Sequence, residues 1–161
     1  MPKLREALAD AGFGDVKTYL QSGNAVVTSR KSSAAVARDV ERLIVDRFGL
    51  EIDVVVRTRD ELAKVVRRNP LGKVAKDPKR YQVSFLGAEP GPEIVRKLEA
   101  LAVGSERLVA DGRELYAWHP AGVARSKLWA ALAGRGLGVK ATARNWTTVT
   151  SLLGLVDEEV A

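Results

Sequence analysis

The sequence predicts an α+β protein made of two tandem ferredoxin-like (split βαβ) halves, the first lacking its opening strand, plus a C-terminal helix. Three observations lead there. Each half carries two β-rich runs around a tight turn, Ser22-Gly23-Asn24 in one and Asp111-Gly112 in the other. Apolar stripes at helical spacing flank both hairpins. The second half then reads β-α-β-β-α-β, and the first repeats that order from its second element onward.

Leu4, Leu8 and Ala11 recur at helical spacing, and Gly12 and Gly14 break that helix. Val16 to Leu20 and Ala25 to Thr28 form the first hairpin. Ser32 or Ser33 caps a helix with Val36, Val40, Leu43, Ile44 and Phe48 on one face, and Gly49 ends it. Ile52 to Arg57, with three consecutive valines, reads as a short buried strand. Thr58-Arg59-Asp60-Glu61 is a capping box that opens a further helix, stopped at Asn69-Pro70.

Residues 71–80 are polar and basic, with Gly72 and Pro78, and read as a linker between an N-terminal half, 1–70, and a C-terminal half, 81–161. Tyr81 to Leu86 is a strand, and Pro92 opens a helix through Ile94, Leu98 and Leu101. Asp111-Gly112 is a strong hairpin signal between Arg107–Ala110 and Arg113–Trp118. Arg107, Val109, Glu114, Tyr116 and Trp118 then share one sheet face; Leu108, Ala110, Leu115 and Ala117 share the other, which suits packing beneath helices. The aromatic face is either an open base-stacking platform or a buried layer, and burial is the favoured expectation. Ser126 begins a helix, Val139 to Ala143 is a strand, and Asn145 caps a last helix bearing Trp146, Val149, Leu153 and Val156. The strand missing at the front is central in this topology, so its absence predicts a clipped N-terminus or a substitute segment.

With no cysteine and one histidine, His119, the chain has no disulfide framework, no thiolate chemistry and no His-rich metal site, and no metal or cofactor is expected. No apolar stretch approaches the ~20 residues of a membrane span, and the first residues, Met1 to Glu6, show no long apolar signal-peptide core, so the expected location is cytoplasmic. The net charge of +6 is uneven. Eight basic residues face three acidic ones between Arg59 and Arg80, and no acid occurs from Leu115 to Val156. Such a field favours anionic partners, a small molecule or a nucleic acid.

The candidate ligand-binding residues follow from this charge and these turns. Ser22, Gly23 and Asn24 offer a hydroxyl, an amide and backbone N–H groups, although turn chemistry alone accounts for the same three types. Lys127 follows the Ser126 cap. Arg144, Asn145 and Trp146 stand where a strand end meets a helix N-terminus, a place suited to phosphate or carboxylate. His119, in a loop before Pro120, reads as incidental. No Walker loop, dinucleotide glycine fingerprint or zinc pattern occurs.

Tyr19-Leu20-Gln21-Ser22-Gly23-Asn24 with Ala25-Val26-Val27, Ser126-Lys127-Leu128-Trp129, and Thr142 to Val149 together resemble the bacterial domain-of-unknown-function 1697 family. The resemblance implies a fold and no established activity. It also implies an opening strand and an Arg-Gly-Ile-Asn-Val-Gly-Gly loop that this sequence lacks. The leading function class is a binding module for an anionic ligand or nucleic acid, rather than an enzyme. The alternatives are an enzyme using Ser22, Asn24 and Arg144, with His119 as a further group, and an interaction protein that forms a homodimer.

Overall fold

The computed structural model describes residues 2–19, 23–134 and 136–158. It is a mixed α/β structure with two sheets and six helices among these residues. Its contacts divide into two compact units, Met1–Leu62 with Ser151–Ala161, and Ala63–Thr150.

The first unit contains α1 (Pro2–Asp10), β1 (Gly14–Tyr19), β2 (Asn24–Thr28) and α2 (Ser33–Phe48). β1 and β2 pair antiparallel, with an irregularity between Gly14 and Lys17 where Asp15 takes a positive φ of 47°. The Thr28 hydroxyl donates to Asp15 Oδ2 at 3.2 Å there. α1 packs on β1 and α2, burying Ala7 and Leu8. Ser32 caps α2 by accepting from Ala35 N, and Gly49 closes it in the left-handed conformation glycine adopts without a Cβ clash.

The expected strand at Ile52–Arg57 is not formed. A strand needs a neighbour to complete its backbone bonds, and β1–β2 forms a two-stranded sheet without it. The segment is tied down by a side chain instead, Val54 N donating to Glu41 Oε2 at 3.0 Å. Helix α3 (Arg59–Arg68) follows with its capping box made: Thr58 N donates to Glu61 Oε1, and Glu61 N to Thr58 Oγ1.

The second unit is built on β3 (Tyr81–Leu86), α4 (Pro92–Leu101), β4 (Arg107–Asp111), β5 (Glu114–Trp118), α5 (Lys127–Ala133) and β6 (Ala141–Asn145), with α6 (Trp146–Glu158) after them. All pairings are antiparallel in the order β4-β5-β3-β6. β6 begins two residues later than the Val139 expectation. The hairpin turn falls on Gly112–Arg113, because Asp111 pairs with Glu114. That is one residue beyond the expected turn, and the register moves by an even step, so the face assignment is unchanged.

β3 is buried along its whole length, which requires cover on both faces. On one face Leu86, Leu115 and Ala117 meet Leu98 of α4 and Leu128 and Leu132 of α5. Tyr81, Val83, Phe85, Tyr116 and Trp118 fill the other, all buried. Residues from Val65 to Leu71 supply the polar partners for that layer. The Tyr116 hydroxyl donates to Val65 O at 3.2 Å, while the Tyr81 hydroxyl donates to Asn69 Oδ1 at 2.9 Å and accepts from Leu71 N. The aromatic face is therefore a packed interior layer with its hydroxyls satisfied, not a platform for bases.

Candidate anion-binding site

The sheet register gathers distant basic segments at one end of the second unit. Tyr81 pairs with Trp118, Gln82 with Asn145 and Arg107 with Trp118, so the entries of β3 and β4 and the exits of β5 and β6 lie together. Backbone bonds then fix the incoming chain. Trp146 N donates to Pro78 O at 3.1 Å, and His119 N to Arg80 O at 3.0 Å. The Arg80 guanidinium donates in turn to Pro120 O. Residues 78–80 are thereby held between the β6–α6 junction and the loop that follows β5.

The cations at this sheet end are Lys79 and Arg80, with Arg125 from the loop between β5 and α5 and Lys127 from the start of α5, all exposed. Arg80 also reaches Asp77 at 3.6 Å, whereas Lys79, Arg125 and Lys127 make no ion pair among the described residues. Lys140 is elsewhere: it lies beside Gly87 at the opposite end of β3. A cleft in the first unit, about 310 Å³ in volume, carries both signs of charge, with Lys31 on Asp39 at 2.6 Å and Arg42 and Asp46 also on its walls.

The loop carrying Arg125 and Lys127 is anchored by a polar knot that the sequence pattern did not reveal. Glu106 precedes β4, His119 follows β5, and Ser126 caps α5 by accepting from Trp129 N. The Ser126 hydroxyl donates to Glu106 Oε2 at 2.6 Å, and His119 Nδ1 meets the same oxygen at 2.8 Å. Val103 N donates to the other carboxylate oxygen. Burial pushes the Glu106 carboxyl up, but the bonds from Ser126, His119 and Val103 N–H together outweigh it and hold it below the usual range. His119 is fully buried, with Trp129 edge-on to its ring and Nε2 finding no hydrogen-bond partner among the described residues.

Serine, histidine and glutamate in contact invite comparison with a nucleophile–base–acid relay. That relay needs the hydroxyl and the carboxylate on opposite ring nitrogens. Here Ser126 Oγ, at 3.3 Å, and Glu106 both address Nδ1. Oγ is spent as donor to a carboxylate of lowered basicity and as acceptor for the helix cap. The arrangement suits anchoring of the loop rather than nucleophilic attack.

Of the residues singled out in the sequence, Lys127, Arg144, Asn145 and Trp146 belong to the second unit, and Gly23 and Asn24 to the hairpin of the first. Ser22 lies outside the described residues. Gly23 has a positive φ of 82°, and Asn24 is buried, its amide donating to Tyr19 O. Arg144 is half-buried opposite Val83, donating to Thr142 Oγ1 and Ala143 O at 2.8 Å each, and burial holds its pKa below the ordinary arginine value. Trp146 stacks on Tyr81, with ring centroids 4.8 Å apart. Asn145 Oδ1 accepts from Thr148 N at 2.9 Å, capping α6. Asn145→Ala is expected to lower stability by about 1 kcal/mol, measured by urea denaturation, as for other lost helix caps.

Among the described residues, no three His, Cys, Asp or Glu side chains form a group able to hold a metal ion, and no helix is long and apolar enough to cross a membrane.

The profile of the family described as "Protein of unknown function (DUF1697)" matches residues 1–116. No curated protein matches the chain. The solved structure of a conserved bacterial protein from Streptococcus pneumoniae is similar, with a TM-score of 0.76 and 18% identity over 97% of this chain and 88% of that one. At that identity the likeness concerns the fold alone.

Proposed function

The chain belongs to the DUF1697 family of proteins of unknown function, and from there we propose that it is a cytoplasmic binding module for an anionic ligand. The observation that carries this reading is the convergence of Lys79, Arg80, Arg125 and Lys127 on one end of the second unit's sheet. The first two are held there through the Pro78–Trp146 and Arg80–His119 backbone bonds, and the other two through the Ser126–Glu106 side-chain bond. Cations from separate segments, held at one sheet end, form a field that a single solvated charge run does not. Arg144 lies on the strand leading into this end.

Two architectural readings accompany it. The element order of the second unit and its strand order, β4-β5-β3-β6, support a ferredoxin-like assignment. The tandem arrangement, with halves at 1–70 and 81–161 joined by 71–80, extends that assignment to the first half. A second functional reading, self-association as a homodimer, is favoured by β1–β2, a two-stranded sheet whose strands each present an edge.

Binding to heparin or an oligonucleotide should weaken as salt rises, because displaced counterions drive it. Lys79→Ser with Arg125→Ser and Lys127→Ser should reduce the logarithmic salt slope by about 1 for each cation that contacts a phosphate. Absence of binding at low salt, or binding indifferent to salt, would overturn the proposal.

A further inference from the structure

Resting on that anion-binding reading, we infer that the ligand is recognised through its phosphate groups, as a phosphate-bearing chain whose bases, where it has any, are not stacked on aromatic side chains.

Base stacking needs an open aromatic face, and amide side chains are among the groups that read a base edge. The second unit commits its rings and its amides elsewhere. Tyr81 and Tyr116 are 1% exposed, Trp118 7% and His119 0%. Trp146 is half-buried against Tyr81, and Trp129 is half-buried against His119. No Trp, Tyr, Phe or His among the described residues is classed with the exposed side chains. The amides that would read a base edge are also engaged. Asn69 accepts from the Tyr81 hydroxyl, Gln82 donates to Lys79 O, and Asn145 caps α6. These are the three Asn and Gln residues of this unit. Exposed at the sheet end are the ammonium and guanidinium groups, which meet phosphate as charge and as donors. Nucleic-acid backbone and inorganic polyphosphate present the same group to them.

The test compares a fluorescent oligothymidylate, the same backbone made abasic, and inorganic polyphosphate as competitor, matched in phosphate concentration at fixed low salt. Since stacking contributes about 1–3 kcal/mol per base, a base-blind site should bind the abasic strand within about threefold of the thymidylate. Polyphosphate should displace both, and tryptophan emission should respond to the thymidylate no more than to polyphosphate, because no indole stacks on a base. The Lys79→Ser, Arg125→Ser, Lys127→Ser variant should weaken all probes in parallel; its exposed positions leave the fold intact. A loss of about tenfold or more on removing the bases, or failure of polyphosphate to compete with a strand that does bind, would overturn the inference while leaving the anion-binding reading in place. If none of the probes binds at low salt, that reading itself fails, and the inference with it.

Discussion

Replacing Glu106 with leucine is expected to lower stability by about 3 kcal/mol, on the scale of buried donors left without an acceptor. The side chain is 8% exposed and accepts from three groups: Ser126 Oγ–H, His119 Nδ1–H and Val103 N–H. Leucine has a similar volume, so the loss reflects stranded donors more than a cavity. Glu106→Gln keeps a carbonyl for one or two of them and should cost less. Ser126→Ala, which removes the cap of α5 and one bond to Glu106, should cost about 1–2 kcal/mol. Acid adds a second signature. Because the folded carboxyl titrates below its usual range, its stabilisation is fully present above the unfolded value, near 4.3, and is lost as pH falls through the folded one. Urea unfolding of wild type and Glu106→Leu should therefore differ most at neutral pH and converge in strong acid. A difference below about 0.5 kcal/mol at pH 7 would show that the knot does not stabilise the fold.

Tyr81→Ala should cost about 3–5 kcal/mol, as other buried aromatic truncations do. The ring is 1% exposed and stacks on Trp146, and its hydroxyl links Asn69 to Leu71 N–H. Tyr81→Phe separates the terms, since it keeps the stack and loses only the hydroxyl's two bonds, about 1–2 kcal/mol. Burial pushes the Tyr81 phenol up to about 12, against a smaller opposing effect of the Leu71 N–H bond. Tyr116 is pushed up as well, first by burial and then by Glu114 and Asp111. Raised folded values mean that the contribution of each phenol is complete below the unfolded value, about 10, and declines as pH rises through the folded one. Alkaline unfolding should therefore set in above about pH 10, and the Tyr81→Phe, Tyr116→Phe double variant should resist it. If the double variant follows the wild-type profile, the phenols are not the responsible groups.

Local signals carried much of this structure. The Thr58–Glu61 box, the Ser32 and Asn145 caps and the two hairpins declare themselves in neighbouring residues, and each is formed. The alternation in Arg107–Trp118 likewise assigned each side chain to its face before any partner was known. Ile52–Arg57 failed because valine-rich sequence states a preference for extended backbone, whereas a strand depends on a neighbour that may lie anywhere in the chain. The knot failed for a related reason. Glu106, His119 and Ser126 come from three segments with no fixed spacing, and serine's role as a cap fully explained its residue type. Lys79 and Lys127 were visible as charges, but their shared end of the sheet emerged only with the register.

The strand order also governs when the second unit can finish assembling. β3 is the first of its strands to leave the ribosome and ends up between β5 and β6, with Gln82 paired to Asn145 and Leu86 to Ala141. The β4–β5 hairpin can close locally, but β3 keeps one edge open until nearly the whole unit has been synthesised. An elongating chain halted before Ala141 would thus expose a strand whose every side chain is destined for burial, the kind of intermediate that recruits chaperones or aggregates.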